Sequence, residues 1–98
     1  MATYVLMTKL SPELSKEMKA REAKGEEWRK KVREKCPEVK FLDHYALLGH
    51  YDFLTIYEAP NEEIAAKVSM ISLAYGAQEA ESWTAIPYKR FLELTREI

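Results

Sequence analysis

Two stretches suited to β-structure, residues 39–48 and 51–58, are separated only by Gly49 and His50. A two-residue connection with glycine first is the mark of a tight antiparallel hairpin, because the mirror-type turn needs a positive backbone angle that glycine reaches without strain. Such a turn fixes register. It sets Leu48 opposite Tyr51, Ala46 opposite Phe53, His44 opposite Thr55 and Leu42 opposite Tyr57 on one face of the sheet, while Asp43, Tyr45 and Leu47 share the other with Ile56, Leu54 and Asp52.

The flanking segments repeat one pattern on either side of this hairpin. Residues 3–9 are rich in β-branched and aromatic types and read as a strand. Ser11, Pro12 and Glu13 then open a helix, with a hydroxyl to cap it, a proline at its first position and an acid at the positive end of its dipole. This helix is expected to reach Cys36, since Pro37 disfavours helical geometry at the residue before it. Leu14 and Met18, and then Trp28, Val32 and Cys36, form an apolar stripe that weakens at Gly25, where a kink or break is expected. Glu17 with Arg21, Glu26 with Lys30 and Glu27 with Lys31 are spaced for pairing on the opposite, solvated face.

Pro60 and Asn61 open a second helix carrying Ile64, Val68, Ile71 and Tyr75, and Gly76 ends it. Residues 78–86 read as a final, more polar strand at a sheet edge, and Phe91, Leu92 and Leu94 as a short closing helix. The chain of 98 residues is thus a single α+β domain over residues 1–98, a ferredoxin-like βαββαβ sandwich. Its four-stranded antiparallel sheet carries both helices on one face. The first and third strands are central and apolar on both sides. Placing Tyr4, Leu6, Leu42, Phe53 and Tyr57 on the helix-free face predicts a homo-oligomer, at least a dimer, that covers them with a second copy. The gap between two sheets is then the expected pocket.

Charge and cysteine content narrow the function classes. Fifteen basic and 16 acidic side chains leave a formal net charge of -1, with no field to draw the chain onto nucleic acid or anionic lipid. The basic tract 29–35 is interleaved with acids and reads as a solvated helix face. Apolar runs are too short for a membrane span, and the composition is that of a cytoplasmic protein. Cys36 stands alone, which excludes an internal disulfide, and with no nearby histidine in sequence it reads as a core residue. His44 and His50 stand roughly 15 to 20 Å apart along an extended chain and cannot share an ion, so no metal and no cofactor is expected.

The candidate ligand-binding residues are Tyr4, His44, Phe53, Thr55 and Tyr57, which set an imidazole beside a hydroxyl and phenols in an apolar cleft. His44 is the candidate catalytic base. At the hairpin, Gly49 serves the turn, and Asp52 accepts backbone donors around it or meets a ligand ammonium, the first role being the commoner for aspartate.

Gly49, Tyr51 and Asp52, followed by Phe53, Leu54, Thr55 and Ile56 and then Glu58, Ala59 and Pro60, closely resemble the GYD domain family. Residues 2–6, Thr8 to Pro12 and, more loosely, the 81–90 ending match the same family, so the likeness covers nearly the whole chain. The resemblance implies a dimeric α/β-barrel protein in a family without an established biochemical activity. The first helix is longer and more charged here than the family pattern. The hairpin is also similar to that of the Lrp/AsnC effector-binding domain, which implies a free-standing amino-acid sensor as one alternative. A second is a cofactor-independent monooxygenase- or isomerase-like enzyme, with His44 as base and Tyr57 or Tyr4 orienting a carbonyl.

Overall fold

The chain folds, in a computed structural model that describes all 98 residues, as β1 (Ala2–Leu10), α1 (Pro12–Lys16), α2 (Met18–Lys35), β2 (Lys40–Ala46), β3 (Phe53–Ala59), α3 (Glu62–Ala74), β4 (Ala77–Ala85) and α4 (Tyr88–Thr95). All strand pairs are antiparallel and lie in the order β2-β3-β1-β4, an α+β arrangement consistent with a ferredoxin-like sandwich. β1 and β3 are central and β4 is an edge, as the sequence pattern requires.

The helix starts form as their sequences dictate. Ser11 Oγ accepts from the Leu14 amide at 3.3 Å with Pro12 in the first turn, and the Asn61 side chain accepts from the Ile64 amide at 3.0 Å. Gly76 ends α3 at φ +111°, and a β-carbon there would lie 2.6 Å from Leu14 Cδ2, so both its backbone angle and its small size are needed. The first long helix does break, but at Glu17 rather than at Gly25. The break lets Arg21 reach back, where its Nη2 donates to the Ser15 carbonyl at 3.0 Å and to Ser15 Oγ at 3.3 Å. Arg21 therefore leaves the solvated face predicted for it. The ion pairs that form on α2 are Lys24 with Glu27 and Lys31 with Glu34, each three residues apart.

The hairpin keeps its register and loses its tight turn. Ala46 pairs with Phe53 and His44 with Thr55, yet the connection spans residues 47–52, closed by the Leu47 amide on the Asp52 carbonyl at 2.8 Å. Gly49 takes no positive φ. The loop is instead drawn across the sheet. The Asp52 amide donates to the Thr8 carbonyl at 2.7 Å, Asp52 Oδ2 accepts from the Leu10 amide at 2.8 Å beside the Lys9/Leu10 irregularity, and Lys9 Nζ donates to the His50 carbonyl at 3.2 Å. Further along β2 a bulge at Leu42 puts Phe41, not Leu42, opposite Tyr57 and leaves Leu42 exposed.

The largest correction concerns the two sheet faces. Tyr4, Leu6, Tyr57 and Ala59 are buried with Val32 and Cys36 from the α2 end and Ala65 and Val68 from α3, so they lie on the helix-covered face and form the core. Alternation along the strands then places Val5, Met7, Tyr45, Leu54, Ile56 and Trp83 on the helix-free face, where Val5 pairs with both Ile56 and Trp83 and Leu54 with both Met7 and Tyr45. That face is still apolar. It is made of the alternate set of residues. Beyond it α4 has no buried residue, and its Tyr88, Phe91 and Leu92 stay exposed along one stripe.

Candidate functional site

The apolar stripe of α2 is interrupted where the sequence weakens, and a cavity opens beneath the interruption. α2 packs firmly only through its C-terminal half, where Val32 is its one buried residue. Toward the N-terminal half Arg21, Gly25 and Arg29 recur every four residues along one side of the helix, and the small size of Gly25 leaves space beneath. The resulting cavity has a volume of about 430 Å³, opens to solvent, and is bounded by α2 on one side and strands β1, β2 and β3 on the other. Leu10, Leu14, Tyr75 and Ala77 also line it.

Three flat rings make one wall. His44 stacks on Phe53 with ring centroids 5.3 Å apart and on Trp28 at 6.5 Å, with interplanar angles of 20° and 25°. Trp28 Nε1 donates to Ser72 Oγ at 2.8 Å, and Ser72 Oγ donates to the Val68 carbonyl at 2.9 Å, which fixes the indole from the α3 side. His44 Nδ1 lies 2.8 Å from the buried Thr55 Oγ1. Desolvation of its partly covered ring, and then the nearby Arg29 guanidinium, lower the imidazole pKa from its ordinary value, which favours the neutral form of His44 at pH 7. A neutral ring hydrogen-bonded through Nδ1 leaves Nε2 to accept or donate toward a bound molecule.

Two guanidinium groups line the same space. Arg21 is held by Ser15 and stands 3.7 Å from Asp52 Oδ1, and its buried Nε has no acceptor. Arg29 lies over the Phe41 ring with Cζ 5.5 Å from the centroid and has no carboxylate within salt-bridge distance.

Of the predicted ligand residues, His44, Phe53 and Thr55 come together in this cavity. Tyr4 and Tyr57 do not line it. They stack at 5.5 Å in the core, with Tyr57 fully buried, its hydroxyl 2.8 Å from Ser82 Oγ and its pKa pushed up to about 12 chiefly by burial. Cys36 is also buried, and burial raises its thiol pKa. Asp52 takes the structural role, joining the end of β1 to Arg21. Tyr51 turns to the opposite side of the sheet and donates to Glu81, which also accepts from Trp83 Nε1 at 3.2 Å. That shared bond raises the Tyr51 pKa to about 12 and lowers that of Glu81. His50 pairs with Glu79 at 3.2 Å, away from His44.

Arg21, Gly25, Trp28 and Arg29 were not among the sequence candidates for the site. For Arg21 and Arg29 the signal is four-residue spacing around a glycine that a helix interior does not favour, and Trp28 lies one turn from that glycine. No group of three His, Cys, Asp or Glu side chains is close enough to hold a metal ion, and no helix is long and apolar enough to cross a membrane. A family model described as GYD domain matches residues 4–95. Searches of curated proteins and of solved structures find no match.

Proposed function

The chain belongs to the GYD domain family, and we propose that it binds a small organic molecule in the cavity under α2 while working as a homodimer. The cavity carries this reading. Its volume of about 430 Å³ lies within the range of small-molecule sites, and it combines apolar and aromatic walls with a few convergent polar groups. Its position under α2 favours a site inside each subunit over one between the sheets of two. The test is a thermal-shift screen against small organic metabolites, with Gly25→Trp as the blocked control. A ligand at one hundred times its dissociation constant stabilises by about 2.7 kcal/mol, which Gly25→Trp should erase. A screen with no stabilising compound, or hits indifferent to Gly25→Trp, refutes the site.

Surface area supports the dimer. The accessible surface is 6766 Å², against about 5,800 Å² for a compact monomer of this mass. The radius of gyration is 14.6 Å, against about 13 Å for this length. The chain thus exposes more surface than a compact monomer of its length, in keeping with the uncovered helix-free face and α4. A second copy laid on the helix-free face would cover Val5, Leu54, Ile56 and Trp83 and receive the stripe of α4. Light scattering should report twice the 11.4 kDa chain mass. A folded particle of 11.4 kDa at micromolar concentration ends the dimer reading.

A second reading is favoured by the neutral imidazole of His44 in an apolar wall. With Thr55 on Nδ1, its Nε2 is placed to remove a proton from a bound carbonyl compound, as a cofactor-independent oxygenase or isomerase requires. In that case His44→Gln abolishes turnover of a bound substrate while weakening its binding far less and leaving assembly intact; retained turnover refutes this reading.

A further inference from the structure

We infer that the molecule bound in the cavity is an organic carboxylate on a flat apolar body, with Arg21 as its anchor. This rests on the cavity being a binding site and adds the class of ligand. The first observation is that Arg21 lines the cavity with only part of its guanidinium committed: Nη2 holds Ser15 and stands 3.7 Å from Asp52, no protein group accepts from Nη1, and the closed-off Nε is the one buried side-chain polar atom without a partner. A guanidinium with unengaged donors beside a partly apolar cavity calls for an acceptor, and an ionised carboxylate is the strongest one. The second observation is the charge around it. Arg29 lines the same space with no counter-charge, whereas Lys24 is already paired with Glu27 at 3.4 Å. Glu22 and Glu26 also border the cavity, but both are solvent-exposed and weakly felt inside it. The third is the wall of Trp28, His44 and Phe53, which presents flat apolar surface to the rest of the ligand. Neutral His44 accepts or donates without adding charge of its own.

The test is calorimetric titration of the purified protein with 2-naphthoate and with 2-naphthamide, a pair matched in shape that differs in charge. The carboxylate should bind at least about tenfold more tightly, the value of one charge-assisted hydrogen bond. Arg21→Met should remove most of that advantage by weakening the carboxylate far more than the amide, and Arg21→Lys, which keeps the charge, should restore part of it. Equal affinity of the two compounds for the wild-type protein overturns the inference and leaves the cavity as a binding site for neutral molecules. So does an unchanged carboxylate advantage in Arg21→Met. Failure of both compounds to bind at millimolar concentration, or binding unaffected by Gly25→Trp, overturns the binding site as well.

Discussion

Replacing Gly25 with alanine should make the protein more stable. Gly25 is the eighth of the 18 residues of α2, far from either end, and a β-carbon built on it meets no atom within 4 Å. The substitution therefore neither gains packing nor meets a clash, and what remains is the intrinsic difference between glycine and alanine inside a helix, about 0.5 to 1 kcal/mol in favour of alanine. For a domain of this size that corresponds to a rise in Tm of about 2 to 8 °C. Calorimetry at fixed protein concentration measures it, fixed because any self-association would make Tm concentration-dependent. The urea midpoint should rise with an unchanged slope. Gly76→Ala is the contrasting substitution: its φ of +111° and the 2.6 Å approach of Leu14 Cδ2 predict a loss of about 2 kcal/mol. A fall in Tm for Gly25→Ala would mean that the space under α2 is filled in solution, and the reasoning that makes this glycine a spacer for a ligand would fail.

Asp52→Ala should cost about 2 kcal/mol, because it leaves the Leu10 amide and Arg21 without their shared carboxylate; denaturant unfolding measures it, and a change below 0.5 kcal/mol, about the scatter of ordinary surface substitutions, refutes the role. His44→Gln should flatten the acid side of the stability profile. The folded pKa of His44 lies below its unfolded value, so its contribution is complete above about pH 6.5 and is lost as pH falls through the folded pKa. Tm measured from pH 7.5 to 5 should therefore fall less in the variant, and parallel curves would contradict the assignment. Combining Trp83→Lys with Phe91→Glu should halve the particle mass by light scattering while leaving the circular dichroism spectrum folded, since both side chains are about half exposed in the single chain.

The fold was legible because its signals are local and agree with one another. Ser11 and Asn61 cap helices where hydroxyl and amide side chains precede apolar periodicity, and the register of Ala46 with Phe53 and His44 with Thr55 is the one a two-residue turn predicts, although the wider loop replaces that turn. The assignment of faces was not legible. β1 and β3 are apolar on both sides, so alternation separates two sets of residues without saying which one the helices cover. That was settled by Val32 and Val68 packing over Tyr4 and Tyr57. The bulge at Leu42 was hidden for a related reason: it depends on Phe41 fitting against Trp28 and Tyr57, contacts made by residues distant in sequence. Half of the site was visible through the cross-strand pair His44 and Thr55. The other half lies on α2, where Arg21 resembles a surface ion-pair partner until the break at Glu17 turns it inward.

α2 is sewn down through its C-terminal half, by Val32 and the Trp28 indole bond, and merely tethered at the other end by the Arg21 contacts. Amide protons early in this helix should accordingly exchange with solvent sooner than those around Val32. An occupant of the hollow would complete the hydrophobic interior that the polypeptide itself leaves unfinished. Docking and the tightening of the helix roof would then be a single event, with part of the affinity spent on ordering the roof and much of the specificity set by what can hold it closed.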